Sequence, residues 1–118
     1  MCQSIDPLIG IELTRILLEV HHVRLEFPDS TIEIGSDFLV GSGGRVLEKI
    51  SPTAKTGNVG VLWSTIGTTV TELTWAESLA DSMVITFSNG IIVEVPPDTG
   101  PRGTIFGFYE GKHTVDDF

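Results

Sequence analysis

The sequence predicts a single α+β domain dominated by antiparallel sheet, made of two related three-stranded units joined by one short helix. Three observations predict it. Apolar and polar residues alternate with a period of two on both sides of short turn-forming clusters, the pattern of half-buried hairpins. The chain matches itself at an offset of about 60 residues, roughly 8–40 against 67–100. One stretch, 58–66, carries apolar residues at helical spacing. At 118 residues and 41% hydrophobic, residues 1–118 make one domain. Such a domain can bury roughly two-thirds of its unfolded surface without a disulfide or structural metal.

Residues 11–20 carry Ile11, Leu13, Ile16, Leu17, Leu18 and Val20. Leu13, Ile16, Leu17 and Val20 also fit a helix, and Ser4 to Pro7 could start one. The later copy, Thr68 to Trp75, is rich in Thr and Val and favours strand. The match tips the first copy toward strand, after a single helical turn at Pro7–Gly10. Val23, Leu25 and Phe27 then alternate with Arg24 and Glu26. Pro28-Asp29-Ser30 supplies a turn, and Thr31 to Ile34 returns. Gly41 to Gly44 and Ser51 to Gly57 read as loops, while Val46, Leu47 and Ile50 suit either helix or strand.

Val59, Leu62, Trp63 and Ile66 form the helical stripe, with Asn58 as N-cap and Gly67 just past the end. Gly60 weakens that helix by about 1 kcal/mol relative to Ala. Trp63 is expected to plug into the sheet. Met83, Ile85 and Phe87 alternate with Val84 and Thr86, and Asn89-Gly90 is a strong hairpin signal because both residues tolerate positive φ. Ile91 to Val95 returns and Pro96-Pro97 ends the strand. With so few polar positions, this hairpin is expected to be buried on both faces. Thr104 to Tyr109 reads as a last strand with Phe106 and Phe108 in the core. Residues 111–118 read as a polar, mobile tail.

The internal match is specific in places. Glu12-Leu13-Thr14 falls on Glu72-Leu73-Thr74, and Val23, Leu25 and Phe27 fall on Met83, Ile85 and Phe87. With one residue inserted after the turn, Ile32-Glu33-Ile34 falls on Val93-Glu94-Val95, and Asp37 on Asp98.

Catalytic patterns are missing from the sequence. His21 and His22 are adjacent, so on a strand they would point to opposite faces and could not clamp one metal; a solvated turn is expected. No HExxH, CxxC or Gly-x-Ser-x-Gly pattern occurs. Gly41 to Gly44 lacks the Lys and Ser/Thr of a phosphate loop. The chain therefore reads as non-enzymatic, with no catalytic residue, cofactor or metal expected.

Charge is the stronger signal. Lys plus Arg number 7 and Asp plus Glu 16, a formal net charge of −9. That field repels phosphate and argues against nucleic acid and anionic membranes as partners. Residues 1–59 hold 8 acids and 5 bases, and residues 60–118 hold 8 acids and 2 bases. A basic protein is the partner such a surface suits, since complementary charge speeds encounter and selects the partner. Cys2 is the lone cysteine, so no internal disulfide can form. No apolar run reaches about 18 residues and no basic-then-apolar leader is visible, so a cytoplasmic protein is expected.

The run from Gly67 to Asp98 holds Gly-Thr-Thr-Val-Thr, then Met-Val-Ile-Thr-Phe-Ser-Asn-Gly-Ile-Ile-Val-Glu-Val-Pro-Pro-Asp. It resembles a family of small bacterial β-rich proteins with duplicated hairpin units. Some members look like immunity proteins of polymorphic or contact-dependent growth-inhibition toxins. Family members tend to end in a Tyr-Glu-x-Trp-like stretch, whereas here Phe108-Tyr109-Glu110 stands without the Trp. The resemblance implies a protein that binds and neutralises a cognate toxin domain, for instance a nuclease, by occluding its basic active-site surface. Glu94, Asp98, Tyr109, Glu110, Asp116 and Asp117, in the more acidic half, are the expected partner-binding residues. Two alternatives stand beside it: a small-ligand module with a pocket lined by Trp63, Trp75 and Phe87, and a structural homodimer joined at a sheet edge.

Overall fold

Period-two patterning organises the molecule. In β2 (Val23–Phe27), β3 (Ser30–Ile34), β7 (Met83–Phe87) and β8 (Ile91–Val95), every other residue is buried. The computed structural model describes residues 8–52, 59–75, 78, 80–98, 100–109 and 111–118. Among them, the remaining strands are β1 (Arg15–Leu18), β4 (Phe38–Ser42), β5 (Arg45–Ile50), β6 (Val70–Thr74), β9 (Gly103–Tyr109) and β10 (Lys112–Asp117), with one helical turn, α1 (Gly60–Trp63).

The strands form two five-stranded antiparallel sheets, ordered β1-β2-β3-β9-β10 and β5-β4-β8-β7-β6. Each consists of a three-stranded meander extended by a hairpin: β9–β10 joins β3, and β4–β5 joins β8. The inward residues of both sheets meet in one core, including Leu25, Ile32 and Ile105 from the first and Val40, Ile85 and Val93 from the second. This is the arrangement of two packed antiparallel sheets, each with one face in the core and the other toward water.

Residues 8–14 lace the sheets together along one side. The Gly10 amide donates to the Val70 carbonyl at 2.7 Å, and the Leu13 amide to the Thr68 carbonyl at 2.9 Å. The Thr14 amide then donates to the Glu26 carbonyl of the other sheet at 2.9 Å. Glu12-Leu13-Thr14 therefore precedes β1, whereas Glu72-Leu73-Thr74 lies inside β6. Ile16 stands opposite Leu25, and Leu73 opposite Ile85. The triplet match thus does not mark equivalent positions, although β2 and β7 lie 60 residues apart and β3 and β8 lie 61 apart.

The sheet-dominated antiparallel reading holds, and 11–20 contributes a strand. Several finer expectations change. The helix expected at 58–66 is a single turn. Beyond it the Ser64, Thr65 and Ile66 amides donate three residues back, a tighter winding that ends at Gly67 with φ +86°. The hydroxyls of Ser64 and Thr65 bond the carbonyls of Val61 and Leu62, competing with regular helix. Leu62 is buried, while Trp63 is 48% exposed rather than plugged into the sheet. Asn58, the expected N-cap, lies outside the described residues, and the Val61 amide is held by Glu48 Oε1 at 2.8 Å.

Gly43 and Gly44 both have positive φ and join β4 to β5 as a two-residue hairpin, so Gly41 and Ser42 belong to a strand rather than to a loop, and Val46, Leu47 and Ile50 lie on a strand. On β9, Ile105 is buried and Phe106 is exposed instead of in the core, while the Phe108 side chain lies outside the described residues. The second hairpin is buried on one face only, with Val84 and Ile92 half-buried. The tail expected to be mobile is β10, paired along β9, and Phe118 beyond it is buried.

Candidate functional site

Two segments carry the chain from one sheet to the other, and they meet at one end of the sandwich. Gly35-Ser36-Asp37 connects β3 to β4. Pro96-Pro97, which have no amide hydrogen to continue a ladder, lead out of β8 toward β9. The Gly35 amide donates to the Arg102 carbonyl at 2.7 Å. The Arg102 side chain is buried, and its guanidinium donates to the carbonyls of Asp81, Pro96 and Ser78. One cation thus ties the segment before β7 to the crossing after β8.

Clefts open on both sides of this junction. The larger, about 590 Å³, has Ser36, Asp37, Lys49, Pro97 and Asp98 in its walls. Ser36 Oγ is buried there with no hydrogen-bond partner among the described residues. Lys49 Nζ lies 3.8 Å from Asp37 Oδ2, both well exposed, a pairing worth little in water. The smaller cleft, about 300 Å³, is walled by His21, His22, Glu33, Thr104 and Asp117. Gly35 and Pro101 belong to both.

The outward face of the first sheet carries a charge network. Arg15 forks onto Glu26, with Nη2 at 2.7 Å from Oε2. Arg24 donates to Glu33 Oε1 through Nη2 at 2.7 Å, and its Nε lies 3.3 Å from Glu19 Oε1. The hydrogen bond to Glu33 raises the Arg24 guanidinium above its usual value; desolvation opposes this, and the charges of Glu19, Glu33 and Glu26 add to it. His22 Nε2 sits 3.0 Å from Glu19 Oε1.

The expected partner residues are only partly brought together. Asp98 and Asp117 stand at the same end, in the two neighbouring clefts, and Asp117 accepts from Thr104 Oγ1 at 2.8 Å. Asp116 lies on the same strand, paired with Ile105. Glu94 is separate, on the outward face of the second sheet, beside a trough of about 130 Å³ that includes Gly41 and Val46. Tyr109 ends β9, though its side chain is outside the described set, as is Glu110. Asp37 was missed, yet the internal match that set it on Asp98 was the signal for it. The expected ligand pocket is not formed as read: Phe87 is in the core, Trp75 packs edge-on against Phe118 at 5.6 Å, and Trp63 is exposed. None of the clefts described here has these three residues in its wall.

No helix among the described residues is long and apolar enough to cross a membrane. Comparison with protein-family models, with curated proteins and with solved structures found no match for this chain.

Proposed function

We propose that the chain is a non-catalytic binding protein that seats a basic protein partner against the crossing end of its sandwich. The observation that carries this is the placement of Asp37 and Asp98, one from each crossing, in the walls of a single cleft of about 590 Å³. The supply of compensating bases supports it. Arg102 is buried, and Arg15 and Arg24 are engaged in ion pairs. With 16 acids against 7 bases, the chain carries more carboxylates than its own cations can neutralise. A partner lysine or arginine entering the cleft would meet the carboxylates of Asp37 and Asp98 between proline rings, and would compete with the exposed Lys49 for Asp37.

The partner class that suits the resemblance is a bacterial toxin domain, neutralised in the cytoplasm by occlusion of its basic active-site surface. Such a complex should bury at least about 1,200 Å². The test is binding to the polypeptide encoded directly upstream of this chain's gene. A one-to-one complex that abolishes that polypeptide's toxicity, weakens with salt, and is lost in Asp37→Lys/Asp98→Lys supports the proposal. Absence of a complex, or a complex indifferent to salt and to both reversals, overturns it.

We further infer that the halves descend from one duplicated unit. Supporting this are the shared strand order of meander plus hairpin in both sheets, the equal burial pattern of β2–β3 and β7–β8, and the convergence of Asp37 and Asp98.

A further inference from the structure

Beside the smaller cleft, the turn between β1 and β2 brings three metal-competent side chains together. Glu19 and His22 come from that turn, pinned by the Glu19 amide donating to the His22 carbonyl at 2.9 Å. Glu33 is on β3, held opposite Arg24 by strand register. One ligand atom from each of the three residues lies within 4.8 Å of the others. His22 Nε2 is 3.0 Å from Glu19 Oε1 and 3.6 Å from Glu33 Oε1. Zinc bonds of about 2.0–2.2 Å to nitrogen and oxygen put tetrahedral ligands roughly 3.3 Å apart, between those two distances. His22 and Glu33 also wall the 300 Å³ cleft, which leaves room for a fourth, exchangeable ligand.

We propose that Glu19, His22 and Glu33 form a binding site for a divalent transition metal, zinc in the first instance, with an open coordination position toward the cleft. The imidazole distinguishes this set from an ordinary acidic patch: two carboxylates and a ring nitrogen suit zinc better than calcium or magnesium. The site is built on a hydrogen-bonded turn and a central strand, so binding requires little rearrangement of the backbone. Arg24 is the resident cation. Its guanidinium engages Oε1 of both glutamates, so an incoming ion competes with it. This proposal is independent of the partner proposed above.

Cobalt(II), which reports its geometry in visible absorption, is the probe, titrated into the tag-free chain and then displaced by zinc. One equivalent should bind with tetrahedral bands and without thiolate charge-transfer absorption, which separates this site from the lone thiol of Cys2. His22→Ala and Glu33→Gln should each weaken binding at least tenfold, while His113→Ala should leave it unchanged. Arg24→Gln should bind more tightly. If His22→Ala fails to fold by circular dichroism, Glu19→Gln, in the turn, takes its place. No saturable binding, binding that survives these ligand substitutions, or an Arg24→Gln variant that binds no better would each overturn the assignment.

Discussion

Gly35 and Arg102 join the two crossings: the amide of one donates to the carbonyl of the other at 2.7 Å. The bond carries the β3–β9 register, in which Ile34 stands opposite Gly103, one position further into the two crossings. Asp37 lies two residues from Gly35, and Asp98 four residues from Arg102. The spacing of the two cleft carboxylates therefore depends on this junction.

Arg102→Met should cost about 2–4 kcal/mol of folding stability, because the carbonyls of Ser78, Asp81 and Pro96 lose a common donor. Arg102→Lys should recover only part of it, since an ammonium cannot reproduce the planar fork. Urea unfolding monitored by tryptophan fluorescence checks both. Wild-type stability in the Met variant would show that the guanidinium is dispensable.

Gly103→Ala should destabilise by about 1–3 kcal/mol. A Cβ there would run into the Glu33 carbonyl oxygen and stand 2.6 Å from the Phe118 ring. Gly35→Ala is the matched control, because its Cβ would meet nothing closer than 3.6 Å. Thermal melts of the two variants should separate by several degrees.

Phe118→Ala should lose about 3 kcal/mol, the cost of emptying a buried aromatic site. It should also shift Trp75 emission to the red, since Trp75 packs edge-on against that ring. An unchanged spectrum would contradict the contact.

Trp63→Ala should change stability by less than about 1 kcal/mol, whereas Leu62→Ala next to it should cost about 2–4 kcal/mol. The contrast follows from an exposed indole beside a fully buried leucine. Chemical denaturation of the pair measures it.

How much of this was legible depended on whether the information was local. Val23, Leu25 and Phe27, and their later counterparts, alternate strictly, so their strands and inward faces could be read directly. The helical stripe at 59–66 was equally regular, but the Ser64 and Thr65 hydroxyls turn back on the helix carbonyls, an effect spacing does not register. Phe106 misled because its side chain is bulky and apolar; its face is set by Ile105 pairing with Ile32 across the ladder, a long-range register. The polar composition of 112–117 concealed a strand whose partner, β9, supplies most of the apolar character. At the candidate site, Asp98 was found by charge, and Asp37 was within reach of the internal match. The Glu19–His22–Glu33 cluster was hidden because two adjacent histidines were weighed against each other instead of against a glutamate on the next strand.

The strand order also sets a timetable. All five strands of the second sheet are contiguous in the chain, from β4 through β8, while the first sheet is supplied from both flanks. During synthesis, the β1–β3 meander must therefore wait, with the edge of β3 unpaired, until the final hairpin leaves the ribosome. A nascent or truncated chain lacking that hairpin would expose a sticky edge and an uncovered apolar layer, the usual route to aggregation. Refolding of the intact chain should be slow for its size, in the millisecond-to-second range of folds closed by distant contacts.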